Sequence, residues 1–380
     1  MAAISFVKTK LGPTFLIWLE KSNTYFQLEE PAWFVFRRIS KQEKPGTIAR
    51  EFSLRYQVSL SESQDFVGEI WNKINGVNKS DSPEKNSELN KFEQLSHDVY
   101  EPYSVQQYQL GNQIIEFRFG FHWLENYIHP LISHLQITEK QNVSELFELF
   151  WFQDEIVFRM NKVVKGSWTN NESHLVKGKI FMELSNLLHN KAESDWLMTV
   201  HASAITNGRK TMLFSASPGS GKTTIAALLK ANGYQLISDD FVPVDRENFH
   251  AFPFPVAMSV KKGSMEMLSS HYPDLENAAL NYITDEKVVK YLPIRNETTN
   301  MIFPVQEFIF VRYDPSVEID CEKLEPIDGI KRLLEETWVS PLKDHVKSFF
   351  EQIAGKSFYK LTYSNNQKAI ERITQLFEND

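Results

Sequence analysis

Residues 212–229 read MLFSASPGSGKTTIAALL, a glycine-rich segment between two apolar ones. The apolar residues before it predict a strand, and those after it predict a helix that begins near Lys222. Glycine lets the backbone N–H groups of such a loop point inward at phosphate oxygens, and the N-terminus of the helix attracts anions as well. The stretch therefore predicts a phosphate-binding loop at residues 216–223.

Two side chains of this loop indicate which ligand it binds. Lys222 would place positive charge on the β- and γ-phosphates of a nucleoside triphosphate, and the Thr223 hydroxyl would ligate Mg²⁺. An accidental glycine-rich turn would lack the flanking strand and helix. We expect the ligand to be ATP with Mg²⁺, although the first glycine of the strict pattern is replaced here by alanine. The predicted ATP-binding residues are Ala216, Ser217, Pro218, Gly219, Ser220, Gly221, Lys222, Thr223 and Thr224.

Two adjacent acids, Asp239 and Asp240, end an apolar segment 17 residues after Lys222. A metal-binding acid reaches the phosphates from this place in a loop-helix-strand unit. Adjacent residues of a strand point to opposite sides, so the two acids can serve different purposes. We expect Asp240 to hold Mg²⁺ with Thr223, and Asp239 to accept a proton from an attacking hydroxyl. The reverse division of roles stays open, and a solvated turn with ordinary acids is the alternative.

The composition is that of a folded protein without an excess of basic charge. Of the 380 residues 42% are hydrophobic and 24% are charged, and the formal net charge is -8, whereas nucleic-acid binders present a basic face. Cys321 is the only cysteine, which excludes an internal disulfide and a cysteine-based zinc site. No stretch approaches the roughly 18 apolar residues of a membrane span. We expect a cytoplasmic protein that binds neither nucleic acids nor membranes.

The first 76 residues predict a small unit of strands followed by helices. Short apolar runs at 4–7, 15–19 and 25–28 alternate with turn signals and indicate three strands. Three helices are expected after them. The third is the clearest, because residues 61–64 read as a capping box and the apolar residues of 66–74 fall on one helical face.

The rest of the chain mixes strands and helices. The polar segment 78–90 predicts a solvated linker. A strand over 199–206 and another over 210–215 are expected to meet at Asn207-Gly208, a dipeptide typical of hairpin turns. The overall pattern favours an α/β (α+β) fold. Further predicted elements are β-rich segments at 108–119 and 147–160, strands at 235–238, 308–312 and 357–363, and helices at 176–190, 224–232, 328–338 and 367–377.

The central part of the sequence resembles the HPr kinase/phosphorylase superfamily, whose fold is related to that of phosphoenolpyruvate carboxykinase. Besides the loop, the resemblance is carried by 201–204 (HASA), 233–240 (GYQLISDD) and 292–295 (LPIR). It is close over 199–245 and looser over about 100–380. It implies a mixed-sheet kinase core, with the paired acids acting as base and metal ligand.

The resemblance also implies roles for residues outside the loop. His201 would lie near the phosphates, and Arg295 falls where the family has a basic residue near the acceptor. Lys261 is a weaker candidate for ligand contact, and a solvated lysine is its alternative. Residues 296–300 replace the family's Pro-Gly-Arg-Asn continuation, so the resemblance implies a specialised relative rather than an enzyme acting on HPr. Relatives form oligomers, which implies a possible homo-oligomer.

The N-terminal residues are similar to PqqD-like domains, which recognise the leader segments of ribosomally made precursor peptides. The similarity is carried by 25–33 (YFQLEEPAW) and 47–52 (TIAREF). It implies that a leader adds as a strand to the edge of Thr24 to Leu28, beside the helix at 61–74. A small helix-turn-helix-like domain without a peptide role is the alternative.

The two resemblances together give an expected domain division and function. The division is a leader-recognition domain at 1–77, a linker at 78–100, a β-rich lobe at 101–195 and a catalytic core at 196–380. The function is transfer of the γ-phosphoryl group of ATP to a Ser or Thr hydroxyl of a precursor peptide. A kinase acting on a small molecule such as free serine, and a nucleotide-sensing binding protein without enzymatic activity, are the alternatives.

Overall fold

The protein has a mixed α/β fold, as the sequence predicts. The computed structural model describes residues 4–79, 100–217, 219–283, 288–293 and 302–378. Pro218 and Arg295 lie outside these ranges, as does most of the predicted linker at 78–100. The described residues form eleven helices and four sheets, of which two contain both parallel and antiparallel pairs. Among the described helices, none is both long and apolar enough to cross a membrane.

The strands and helices follow one another in this order. The strands are β1 Phe6–Leu11, β2 Thr14–Leu19, β3 Thr24–Glu29, β4 Ser104–Leu110, β5 Gln113–Phe119, β6 Gln136–Ile137, β7 Glu145–Phe152, β8 Glu155–Met160, β9 Val163–Thr169, β10 Trp196–Val200, β11 Ala202–Thr206, β12 Thr211–Ser215, β13 Gln235–Ser238, β14 Val242–Asp245, β15 His250–Ala251, β16 Met258–Lys261, β17 Asn281–Tyr282, β18 Val288–Leu292, β19 Phe303–Tyr313, β20 Ile319–Lys323, β21 Thr337–Val339 and β22 Ser357–Tyr363. The helices are α1 Glu30–Ile39, α2 Pro45–Tyr56, α3 Leu60–Lys79, α4 His122–Ile132, α5 Ser173–His189, α6 Lys222–Ala231, α7 Lys262–Ser269, α8 Asp274–Asn277, α9 Pro326–Glu335, α10 Lys343–Ile353 and α11 Asn366–Glu378.

Internal contacts divide the described residues into two compact units. Unit 1 contains residues 4–79 together with 325–331 and 339–356, and unit 2 contains the remaining described residues. Unit 1 is therefore discontinuous in sequence. It includes segments that the sequence division assigned to the core at 196–380, while the functional division itself stays a prediction.

In unit 1, three helices cover one face of the antiparallel sheet β1-β2-β3. Ile17 of β2 lies in the same buried cluster as Val35 of α1 and Val67 of α3. The capping box of α3 is formed by Ser59 and Glu62, whose backbone N–H groups each donate to the other's side chain at 2.9 and 3.2 Å. The sequence prediction that placed this box at 61–64 is wrong, because the helix begins two residues earlier, after Ser59.

The opposite face of this sheet is covered by α10. Trp18 and Tyr25 are register partners on neighbouring strands and so lie on one face. The Tyr25 ring contacts the ring of Phe350 with centroids 6.2 Å apart, and α10 also packs against β1. Lys343 at the start of α10 donates to Ser5 at 2.7 Å. Both faces of β2 are consequently buried, and its Trp18 is fully inaccessible.

Unit 2 begins with a six-stranded sheet in the order β6-β4-β5-β7-β8-β9. Helices α4 and α5 pack on it, with Ile128 and Ile180 in the same buried cluster as Phe117 and Phe147. The Gly111-Asn112 turn joins β4 to β5 as predicted. This sheet and α5 correspond to the β-rich segment expected from the sequence.

The ten-stranded sheet of unit 2 carries the glycine-rich loop. Strand β12 lies between β11, to which it is antiparallel, and β19, to which it is parallel. Helix α6 follows β12 and buries Ile225 with Met212 and Phe214. The predicted single strand at 199–206 is wrong, because the chain breaks at His201 into β10, which pairs with β14, and β11.

Candidate active site

The glycine-rich loop joins the end of β12 to the start of α6, as the sequence predicts. Gly219 and Gly221 have φ of +95° and +93°, a region that side chains with a Cβ rarely adopt. A Cβ on Gly221 would lie 2.8 Å from the Tyr363 hydroxyl, so glycine is required there for steric reasons as well. Tyr313 closes the loop from the other side, since its N–H donates to the Ser220 carbonyl at 3.0 Å.

The first three residues of α6 turn their side chains to different partners. Lys222 is buried, and its Nζ lies 3.2 Å from Nε2 of His201 and 3.5 Å from Oδ1 of Asp240. The Thr223 hydroxyl donates to Asp239, and the Thr224 hydroxyl donates to Ser264 Oγ at 2.9 Å. Lys222 and Thr223 are thus both directed at the acidic pair.

His201 occupies the break between β10 and β11. Its backbone N–H donates to the carbonyl of Glu336 at 2.8 Å. Its Nδ1 lies 3.0 Å from Oδ1 and 3.1 Å from the backbone carbonyl oxygen of Asp240. Because one ring nitrogen faces Asp240 and the other faces Lys222, the imidazole links the loop lysine to the acid.

Asp239 is the buried member of the acidic pair, with 1% of its surface exposed. Its carboxylate accepts hydrogen bonds from the Ser203 hydroxyl and, at 3.1 Å, from the Thr223 hydroxyl. Burial raises the pKa of Asp239 above its ordinary range, and the neighbouring charge of Asp240 adds to this, while Lys222 acts in the opposite direction. Asp239 therefore favours a bound cation or a proton.

Asp240 is surrounded by cationic and proton-bearing groups. Its Oδ2 lies 2.9 Å from Lys177 Nζ, and its Oδ1 faces His201 and Lys222. Burial on its own would raise the pKa of Asp240, but the charges of Lys177, Lys222 and His201 outweigh it and hold the pKa well below the ordinary range. The residue has a φ of +71°, which aspartate tolerates better than most side chains. Asp240 is consequently an anion at neutral pH.

Lys177 is a site residue that the sequence analysis missed. It lies on α5, and nothing in its local sequence sets it apart from Lys179 two residues later. Burial lowers the pKa of Lys177, but the ion pair with Asp240 has the larger effect, and the pKa lies above its ordinary value. Tyr127 of α4 and Tyr291 of β18 lie close enough for their charges to be coupled to both Lys177 and Asp240. Burial raises the pKa of Tyr291 to about 12.

The structure brings together five of the predicted site residues, His201, Lys222, Thr223, Asp239 and Asp240. The predicted Arg295 lies outside the described residues. Lys261 is also near the loop, since its Nζ lies 3.9 Å from the position of a Cβ on Gly219.

The arrangement of oxygen atoms bears on the expected Mg²⁺. Among the described residues, no group of three or more His, Cys, Asp or Glu side chains forms a metal site on its own. Thr223 and Asp239 nevertheless present a hydroxyl and a carboxylate 3.1 Å apart. Mg²⁺ in nucleotide sites takes one or two such protein ligands and completes its shell with phosphates and water. The residues present therefore fit a nucleotide-bound Mg²⁺, with Asp239 rather than Asp240 beside Thr223.

We compared the chain with protein-family models and with curated proteins. No protein-family model matches the chain, and no curated protein matches it significantly.

Proposed function

We propose that the protein is an ATP- and Mg²⁺-dependent phosphotransferase. The observation that carries this proposal is the convergence of Lys222 and Thr223, at the N-terminus of α6, on the two acids at the end of β13. A loop with two glycines in left-handed conformation leads into that helix and supports phosphate binding. His201 and Lys177 both contact Asp240. These additional polar contacts favour a reaction on an anionic group over nucleotide binding alone.

The contacts favour the reverse of the division of roles that we expected from the sequence for Asp239 and Asp240. Asp239 with Thr223 would hold Mg²⁺, which, when bound, neutralises charge developing on the β- and γ-phosphates. Asp240 would accept the proton, because its side chain is 21% exposed whereas Asp239 is almost inaccessible. A carboxylate of low pKa is a weak base, and Asp240 would contribute mainly by orienting the acceptor hydroxyl, since catalysis of phosphoryl transfer depends largely on positioning.

The proposed step conserves atoms and charge. The acceptor hydroxyl oxygen forms a bond to the γ-phosphorus, and the bond from that phosphorus to the β–γ bridging oxygen breaks. The bridging oxygen keeps the electron pair and leaves as part of ADP, and the hydroxyl proton passes to the Asp240 carboxylate. Lys222 and the loop N–H groups would stabilise the charge on the phosphate oxygens throughout.

We propose a Ser or Thr hydroxyl of a precursor peptide as the acceptor. Among the described strands, β3 pairs only with β2, so its other edge is the proposed place for an added strand. The predicted leader site lies along this edge and beside α3. Capture there would raise the concentration of the attached acceptor at the active site. A small-molecule acceptor and a purely nucleotide-sensing role are outcomes that the experiment below separates.

The test combines nucleotide binding with label transfer. The purified full-length protein is titrated with a fluorescent ATP analogue and Mg²⁺, and Lys222→Met is compared with Lys230→Met, a control at the other end of α6. Labelled ATP is then supplied with a synthetic peptide that contains Ser and Thr residues, or with free serine.

Each result selects one function. Label on the peptide supports the proposal, and label on free serine alone selects the small-molecule kinase. Nucleotide binding without transfer to either acceptor selects the sensing role. Equal nucleotide affinity of wild type and Lys222→Met would contradict the phosphate-binding role of the loop itself.

A further inference from the structure

We propose that Lys177 is a positioning residue that fixes the orientation of the Asp240 carboxylate. This inference rests on the proposed function for its catalytic consequence, but its geometric content is independent of it. Lys177 belongs to α5, which precedes the ten-stranded sheet in the chain and is separate from the loop-helix-strand unit that carries the other site residues.

The contacts of Asp240 divide between its two carboxylate oxygens. Oδ2 lies 2.9 Å from Lys177 Nζ. Oδ1 lies 3.0 Å from His201 Nδ1 and 3.5 Å from Lys222 Nζ. The two oxygens of a carboxylate are equivalent, so partners on both of them fix the plane of the group. A strong partner on Oδ2 therefore also fixes the direction in which the other oxygen faces His201 and Lys222.

Lys177 can fix the Asp240 carboxylate because its own side chain is partly buried and packs against Phe181. Its Nζ lies 5.7 Å from the centre of the Phe181 ring on the next turn of α5, and 27% of its side chain is exposed. Removal of Lys177 would leave Oδ2 of Asp240 without this cation, whereas Oδ1 would keep its contacts with His201 and Lys222. Deleting the Lys177 charge should therefore move the Asp240 side chain rather than leave it in place.

A purely structural ion pair is the competing explanation, and Lys179 offers a matched control. Lys179 lies on the same helix and forms ion pairs with Glu183 at 3.0 Å and Glu193 at 2.6 Å, none of which involves Asp240. Both lysines are partly buried and both lose an ion pair on replacement by methionine. Only Lys177→Met should affect the candidate site.

The first experiment is crystallographic and independent of any activity. Structures of Lys177→Met, Lys177→Arg and Lys179→Met are compared with the wild type at Asp240. We expect the plane of the Asp240 carboxylate to rotate in Lys177→Met and to keep its orientation in the other two. An unmoved carboxylate in Lys177→Met would overturn the positioning role, whether or not the wild type transfers phosphoryl groups.

The second experiment measures the kinetic consequence where the wild type is active. We expect Lys177→Met to lower kcat by about 10- to 100-fold, the usual effect of losing the partner of a functional group, with the KM for ATP changed by less than about 3-fold. Lys177→Arg should recover most of the loss, and Lys179→Met should match the wild type. In an Asp240→Asn background, Lys177→Met should add little, because both changes remove the same interaction. Full additivity, or equal losses in Lys177→Met and Lys179→Met, would show that Lys177 does not act through Asp240.

Discussion

The Thr223 hydroxyl donates to Oδ2 of Asp239 at 3.1 Å, which places the first acid of the pair, and not the second, beside the proposed Mg²⁺ ligand. The neighbouring Asp240 points instead to Lys177, His201 and Lys222. Two consecutive aspartates are thereby given opposite environments. The two environments are the basis for the different proposed roles. They also predict that replacing the two aspartates by asparagine changes Tm in opposite directions.

Replacing Asp239 by asparagine should stabilise the protein while abolishing phosphoryl transfer. Burial raises the pKa of Asp239, so its ionised form is less stable in the folded than in the unfolded chain. This cost is absent below the unfolded pKa, about 4, and grows as the pH rises above it. The gain in Tm of Asp239→Asn should therefore be larger at about pH 7.5 than below about pH 4.

Asp240→Asn is the matched control for that measurement. Its partners hold the pKa of Asp240 below the ordinary range, so its ionised form stabilises the folded state above about pH 4 and this contribution is lost as the pH falls through the lowered pKa. Asp240→Asn should lower Tm at neutral pH. A fall in Tm for both variants would contradict the assignment of opposite environments.

Gly221→Ala should distort the phosphate-binding loop. A left-handed conformation costs alanine about 1–2 kcal/mol, and the added Cβ would lie 2.8 Å from the Tyr363 hydroxyl. We expect a lower Tm and loss of ATP binding, measured by scanning calorimetry and by titration with a fluorescent ATP analogue. Gly263→Ala is the control, because a Cβ there meets no atom within 4 Å and the residue lies in helix α7. Unchanged ATP affinity in Gly221→Ala would show that the loop does not cradle phosphates.

MgATP should raise the Tm of the wild type but not that of Lys222→Met. A ligand present at 100 times its Kd stabilises the folded state by about 2.7 kcal/mol. The replacement of buried Lys222 removes a cation that lies 3.2 Å from Nε2 of His201 and 3.5 Å from Oδ1 of Asp240. Differential scanning fluorimetry with and without MgATP measures the difference, and Lys230→Met should respond like the wild type.

Phe350→Ala should destabilise the N-terminal sheet, although Phe350 lies far from β1 to β3 in the sequence. Phe350 is buried in unit 1 and contacts Tyr25 of β3. Truncation of a buried phenylalanine costs about 3–5 kcal/mol, so amide hydrogen exchange in β1, β2 and β3 should accelerate. Lys347→Ala, an exposed change on the same helix, should leave exchange unaltered. Equal protection of the sheet in both variants would contradict the packing of α10 on it.

Much of the candidate site is predictable from sequence because its parts are local. The strand-loop-helix-strand order over β12, α6 and β13 follows from apolar runs and glycines within about thirty residues, and the structure confirms these elements. His201 was found through a resemblance and not through its pattern, since the sequence reads 199–206 as one strand. The break at His201 depends on pairing with β14 on one side and β12 on the other, which is a property of the whole sheet.

Other features depend on contacts between distant segments. Lys177 became a site residue only through the packing of α5, since its sequence context matches that of Lys179. The sequence analysis did not predict helix α10, although Val346, Phe349, Phe350 and Ile353 have helical spacing and are all buried. Periodicity alone could not tell that this face would cover the N-terminal sheet.

The discontinuity of unit 1 also has a consequence for biosynthesis. Strands β1 to β3 leave the ribosome more than 300 residues before α10, which covers their second face. At typical rates of translation the delay amounts to roughly 15–60 s. During that interval Trp18 and its neighbours have no partner helix from the C-terminal part of the chain. A prematurely terminated chain would therefore expose the apolar face of the N-terminal sheet that α10 covers in the complete protein.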